Sequence, residues 1–455
     1  MLQAFANTLK VPELKKRILF TAGLVAICRL VSLVPTPGVD GGAISKAFEH
    51  ATGTAGGLLG MLDIFTGGAL ARCSVGFFGI WPYISASIIL QLMTAIVPAL
   101  ERMARDGEAG RQRINQWTRY FTIVICVFQS FVLARTLEYH PGVILRTDLN
   151  VQIVASPGIG FELMTVIAMT TAAMFVMWLG DQITARGIGN GISLIIMINI
   201  CSRLPMAVVQ AQAKYFPNFV PNSDFFQFVL LLILGFIVCA ATVMLTQGVR
   251  KVQIHSARRS AGASAYGGMA NYMPLRVNFS GVMPIIFAGP LLSIPGSLLA
   301  RITNPHFEWL AAIGRALAEQ RSLGYMVVYA ALIVFFSFFW VATQFNAVRI
   351  ADDLKRTGGY VPGIRPGRAT AEFLDHTMSR VTFIGAIGLV VIAILPTILA
   401  GWIQIPWDIA SFFGGTSLLI IVGVALDTLR QMESYLTMRH YDGFLKHGRI
   451  QSRRS

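Results

Sequence analysis

From Ile18 to Met432 the chain alternates long apolar runs with polar stretches. Ten runs approach or reach the 17 to 25 or so residues that a helix needs to cross a bilayer. They are Ile18–Leu33, Val75–Val97, Phe121–Leu137, Phe161–Leu179, Ile188–Leu204, Phe225–Leu245, Gly281–Leu299, Tyr325–Phe345, Val381–Ile403 and Ile409–Met432. Hydrocarbon cannot satisfy backbone N–H and C=O groups, so each run is expected to be a helix. The pattern predicts an all-α polytopic membrane protein with ten transmembrane helices. Residues 1–17 form an N-terminal tail, 18–204 a first five-helix half, 205–432 a second, and 433–455 a C-terminal tail.

One stretch departs from this rhythm. Ile64–Cys73 is too short to cross a bilayer and leads directly into the second run. It reads either as a surface loop with an amphipathic turn or as a re-entrant piece folded back into the protein. Irregular backbone is tolerated at membrane depth only where protein or a water cavity surrounds it, and Thr66-Gly67-Gly68-Ala69 permits close packing against helices.

Short repeats relate the two halves. The second run opens Gly79-Ile80-Trp81-Pro82-Tyr83-Ile84 and the seventh Gly281-Val282-Met283-Pro284-Ile285-Ile286. Asn190-Gly191-Ile192-Ser193-Leu194-Ile195-Ile196 opens the fifth run, and Gly414-Gly415-Thr416-Ser417-Leu418-Leu419-Ile420 matches it in the tenth. Both matches fall five helices apart. Five is odd, so the copies are expected to insert in opposite directions, as inverted repeats.

Composition supports the membrane reading. The 455 residues are 55% hydrophobic and 13% charged, against about 25% charged in soluble domains. Most of the 37 Lys+Arg fall in the N-terminal tail and in alternate loops on its side, which places both termini in the cytoplasm. The net charge of +15 is concentrated on that face, where it suits anionic phospholipid, an acidic protein or RNA. Val34-Pro35-Thr36-Pro37-Gly38 offers no small-x-small cleavage pattern, so the first run is read as a retained helix. The five cysteines are scattered and read as apolar packing.

Two cytoplasmic loops stand out. Residues 247–278 carry Arg250, Lys251, Arg258, Arg259 and Arg276 without an acid, and 349–380 carry Arg365 within Val361-Pro362-Gly363-Ile364-Arg365-Pro366-Gly367. Such loops either serve topology and lipid contact alone or act as an electrostatic landing pad; the prolines and glycines around Arg365 favour a rigid tip. No phosphate-binding loop, HExxH or nucleophile elbow occurs, so no catalytic residue, metal or cofactor is expected. Ion-coupled transporters place ionisable groups at mid-membrane, whereas Arg29, Glu162, Asp181 and Asp427 lie near the ends of runs. A passive conduit therefore fits better than a solute transporter built on inverted repeats or a scaffold that conducts nothing.

Several stretches then carry a specific resemblance: FTGGALARCSVGFFGIWPYISASIILQL, DGEAGRQRINQWTRY, WLGDQITARGIGNGISLII, LRVNFSGVMPIIFA, NAVRIADDLKRTGGYVPGIRPG and FGGTSLLI. Together they resemble the SecY family, the channel subunits of the bacterial Sec protein translocase. The resemblance implies two inverted five-helix halves around a central hourglass pore, in the bacterial plasma (inner) membrane. Its pore ring falls on Ile80, Ile84, Ile192, Ile196, Ile286 and Ile420. Its short re-entrant plug helix falls on Asp63, Ile64, Phe65, Thr66, Gly67, Gly68, Ala69, Leu70, Ala71, Arg72 and Cys73. A lateral gate between the second and third, and seventh and eighth, spans would include Ser85, Ser87, Gln91, Gln129 and Phe287. Docking of a SecA motor ATPase or the ribosome would use Arg258, Arg259 and Arg365. Small SecE-like and SecG-like membrane subunits and signal-sequence-bearing preproteins are the further partners implied. One departure concerns the ribosome: many relatives continue the basic run after Arg259, whereas this chain has Ala261-Gly262-Ala263-Ser264.

Overall fold

A computed structural model describes residues 11–42, 44, 63, 66–139, 154, 156–215, 225–256, 271–300, 307–319, 322–403 and 415–447. Helices dominate. In chain order they are α1 (Pro12–Val31), α2 (Trp81–Ile96), α3 (Pro98–Arg105), α4 (Glu108–Tyr139), α5 (Ile159–Arg186), α6 (Gly191–Cys201), α7 (Leu204–Tyr215), α8 (Phe225–Gln247), α9 (Met283–Leu299), α10 (Glu308–Ala318), α11 (Leu323–Gln344), α12 (Ala347–Arg356), α13 (Arg368–Ile403) and α14 (Gly415–His447). Each of the ten apolar runs carries a helix. Among the described residues six helical stretches are long and apolar enough to cross a membrane, or seven if the bent pair at α2 and α3 is one span. The others are shorter or more polar: α1 carries Lys15, Lys16 and Arg17 in its first two turns, α9 has 17 residues, and the C-terminal half of α14 is polar.

Local sequence explains where the helices start and stop. Val97 is extended, as a residue before proline should be, and at Pro98 the chain turns by 103°. The second apolar run opens at Val75, but its helix begins at Trp81, one residue before the start at Pro82 that a proline tolerated in a first turn predicts. Residues 75–80 are turns, because Gly79 takes a left-handed φ of +51° that no helix contains. The fifth run likewise breaks in a turn at Ser202-Arg203, and Leu204-Pro205 opens α7.

The all-α expectation needs a second correction. Residues Val249–Ser256 (β1), Asn271–Arg276 (β2) and Gly359–Tyr360 (β3) form a three-stranded antiparallel sheet in the order β2-β1-β3. Val249 pairs with Arg276, and His255 with Tyr360. The two basic loops are therefore stitched into one body. Val252 and Ile254 alternate with Lys251, Gln253 and His255, the period-2 signature of a strand with one covered face. That face packs on Leu275, Val341, Val361 and Met378.

Contacts group the chain into two compact units, residues 1–206 with 424–455, and 207–423. In the second, α8, α9, α11 and α13 meet around Val238, Ile285, Tyr329, Ile333 and Leu389. In the first, α4 and α5 pack through Leu133, Ala134, Phe161 and Met169 together with Cys73. Some buried hydroxyls inside these helices donate to the carbonyl four residues back, as Thr122 does to Thr118, Thr242 to Val238 and Ser337 to Ile333, whereas those of Ser130, Thr165 and Thr382 have no partner among the described residues.

Helices approach closely at α6. A Cβ on Gly191 would run into the Gly180 carbonyl of α5, and the Gly191 N–H donates to Thr184 Oγ1 at 2.9 Å. Gly191→Val is expected to lower stability by about 1–3 kcal/mol through overpacking, read as a lower midpoint in thermal unfolding in detergent. An unchanged midpoint would mean that α5 and α6 can part without loss.

Candidate functional site

The candidate ring residues sit at helix openings that share one local geometry. Gly79 and Gly281 both have positive φ, +51° and +64°, and in each case the helix starts two residues later with proline at its second position. Ile84 and Ile286 are thereby each the fourth residue of their helix. Ile196 and Ile420 each lie five residues after an opening glycine, Gly191 and Gly415. The repeat read from sequence thus extends to backbone conformation and register. Ile80, Ile196, Ile286 and Ile420 are buried, whereas Ile84 and Ile192 are half-buried. Ile80, Ile84, Ile192 and Ile196 belong to the first unit, Ile286 and Ile420 to the second.

The α6 opening is fixed from several sides. Asn190 caps it, its Oδ1 accepting from the N–H groups of Ile192 and Ser193 at 3.1 and 3.3 Å. The turn before it is tied to α1 and α14. Thr21 Oγ1 accepts from the Ile188 N–H at 3.2 Å, and Gln431 Oε1 from the Gly189 N–H at 3.0 Å.

The half-length segment is folded into the first unit. Asp63 and Thr66 are helical, and residues 67–80 run as consecutive turns rather than as a continued helix. Gly67 and Gly68, at φ +67° and +91°, impose that change. Ile64 and Phe65 lie outside the described residues. Asp63, Thr66, Ala69, Leu70 and Cys73 are buried, Gly67 has no space beside it, Gly68 and Ala71 are half-buried and Arg72 is exposed. The far end is stitched to the chain after α1: the Cys73 carbonyl accepts from Thr36 Oγ1 at 2.6 Å and from the Thr36 N–H at 3.2 Å, and the Val75 N–H donates to Val34 O at 2.9 Å.

The near end meets a polar cluster that sequence reasoning did not assemble. Asp63, only 2% exposed, forms an ion pair with Arg203, and its Oδ1 accepts from the Ala71 N–H at 2.8 Å. Arg29, from the last turn of α1, donates to the Gly67 carbonyl at 3.2 and 3.3 Å and to Asn199 Oδ1 of α6 at 3.3 Å. A Cβ on Gly67 would collide with the Arg29 guanidinium. Gly67→Ala is therefore expected to unseat the segment and increase modification of Cys73 by an impermeant maleimide several-fold; equal labelling would mean that Arg29 moves aside at no cost. Sequence separation hid this cluster, since Asp63 and Arg203 come together only through the fold.

The candidate gate residues divide in the same way. Gln91 Nε2 donates to Ser87 Oγ at 3.1 Å along α2, and Ser85, Ser87 and Gln91 are half-buried. Gln129 Oε1, on α4, lacks a hydrogen-bond partner among the described residues. Phe287 is buried in the second unit against Phe336 and Trp340 of α11, at ring distances of 6.3 and 6.1 Å. Of the docking arginines, Arg258 and Arg259 lie outside the described residues. Arg365 is exposed on a tip bounded by left-handed Gly363 and Gly367 and held by Thr370 Oγ1, which donates to the Arg365 carbonyl at 2.9 Å. Val361 and Ile364 anchor that tip to the apolar face of the sheet.

Comparison with known proteins agrees with this architecture. The SecY family model matches residues 74–429. The protein translocase subunit SecY of Thermotoga maritima is 40% identical over 456 residues, covering 100% of both chains. That of Streptomyces coelicolor is 39% identical over 448 residues, covering 98% of this chain and 100% of the relative. Among solved structures, one described as the structure of a protein conducting channel aligns with a TM-score of 0.66 at 16% identity, over 96% of this chain and 94% of that one. Sec61 from a canine ribosome-channel complex aligns with a TM-score of 0.61 at 15% identity over the same shares.

Proposed function

This chain belongs to the SecY family, and on that premise we propose how its parts share the work of a protein-conducting channel. It is a multi-pass membrane translocase subunit and not an enzyme. Ten helices in two inverted halves surround an hourglass pore, and Ile80, Ile84, Ile192, Ile196, Ile286 and Ile420 form its constriction. The observation that carries this reading is the repeated helix opening, which gives Ile84 the register of Ile286 and Ile196 that of Ile420. Equivalent positions of an inverted repeat lie near a common pseudo-axis, where a constriction belongs. A narrow apolar ring disfavours water and ions by dewetting. It also offers no hydrogen bonds, so it treats any passing polypeptide alike.

Residues 63–73 act as the plug of the external funnel. The gate helices, with Ser85, Ser87, Gln91, Gln129 and Phe287 along them, separate to admit a signal sequence and to release apolar segments into lipid. Unfolded preproteins pass outward through the bacterial inner membrane, with both termini of the channel in the cytoplasm. The basic sheet and Arg365 tip, with Arg258 and Arg259, receive a SecA-type motor or a ribosome. Anionic lipid contacts the same basic face, and small SecE-like and SecG-like subunits complete the assembly.

Photocrosslinking tests the central claim. With a photoreactive residue at position 286 and a stalled preprotein, a crosslink that needs both ATP and a signal sequence is expected. Crosslinks confined to the basic loops would instead indicate a docking platform.

A further inference from the structure

We infer that Asp63, Arg203 and Arg29 form a polar latch that sets how firmly the plug is seated, a positioning role that rests on the plug reading above. The latch has two limbs. Asp63 of the segment pairs with Arg203, and Arg29 joins the Gly67 carbonyl to Asn199 of α6. One side of each limb is in the segment, and the other is on α1, on α6 or in the turn after α6. All of these groups belong to the first unit.

Burial makes the latch consequential. The Asp63 side chain is 3% exposed and that of Arg203 29%. A carboxylate withdrawn from water to this degree is tolerated because it is paired and hydrogen-bonded, and removing one partner of such a pair is strongly destabilising. Asp63 also orders its own segment. Its Oδ1 accepts from Ala71, and its carbonyl accepts from the Gly68 N–H at 3.0 Å and from Thr66 Oγ1 at 3.2 Å. Moving the segment out of the funnel therefore breaks the ion pair and the Arg29 contacts together. Apolar contacts of Leu70 and Cys73 would be lost gradually along such a path. The directed contacts are lost over the first few ångströms, which gives the closed position a defined threshold.

The experiment reads Cys73, which is buried with the segment in place. The full chain, assembled with its partner subunits in proteoliposomes, is labelled with an impermeant maleimide, and resting ion conductance is measured in parallel. D63N and R203Q are each expected to raise the labelling rate about tenfold or more. The double variant should label no faster than R203Q alone, because the two side chains act as one unit, and R203K should stay close to the parent. Single variants that label like the parent, or effects of D63N and R203Q that multiply in the double variant, would overturn the latch. A chain lacking residues 63–73 separates the two claims. If its conductance equals the parent's, the segment seals nothing, while the labelling pattern still decides whether the latch holds it.

Discussion

Removing residues 63–73 is expected to raise resting ion conductance in planar bilayers by about tenfold or more, since on the proposed function only the apolar ring would then remain to seal by dewetting. The expectation follows from how the segment is packed. Ala69, Leu70 and Cys73 are buried, and Cys73 joins the cluster of Leu133, Ala134, Phe161 and Met169. A loop on the surface has no such partners. The second helix begins only at Trp81, so the deletion leaves α2 whole. Ser74 and Val75, which contact Pro35 and Val34, are also retained. The leak should then appear without loss of the assembled protein, which its amount in the membrane checks. Unchanged conductance would return the segment to the status of a packed surface loop.

Arg365→Glu is expected to slow motor-driven export by about tenfold, with the defect growing at low salt, because charge at the rim of an interface acts chiefly on association. The side chain is exposed on a tip whose backbone is fixed by Gly363, Gly367 and the Thr370 hydroxyl. Reversal of charge there alters what a partner meets without disturbing the core, since the tip is anchored by Val361 and Ile364 and not by the Arg365 side chain. The neighbouring Arg368 pairs with Glu372 at 3.2 Å, and that exposed pair contributes little to stability. Arg368→Glu is therefore the control, and its export rate should remain near that of the parent. Normal export by Arg365→Glu, measured as ATP-dependent protection of a preprotein in vesicles, would reduce the loop to a topological element.

Much of this architecture is legible in the chain because a bilayer reduces the choices. An apolar run of sufficient length has to become a helix, and the runs found by inspection all carry one. The repeated openings were equally readable, since glycine two residues ahead of a helix and proline within its first turn are local conformational demands. Helix ends were less legible. Val75–Ile80 is apolar enough for a span, yet left-handed Gly79 makes it a turn. The sheet was missed for another reason. Val252 and Ile254 give a short alternating signal inside a loop noticed only for its charge, and β3 has two residues, too few to carry a pattern.

The sequence by itself determined what kind of protein this is: an apolar, basic, internally repeated chain whose motifs carry the resemblance to SecY. Periodicity, charge asymmetry and proline or glycine at a helix opening are properties of neighbouring residues, so a linear reading recovers them. Only the tertiary structure decided what holds the short segment in place. Arg29, Asp63 and Arg203 stand far apart along the chain, and each alone looks like an ordinary charge near the end of an apolar run. Folding buries Asp63 beside Arg203 and sets Arg29 against Gly67 and Asn199. Away from water, a charge must find its partner within the protein.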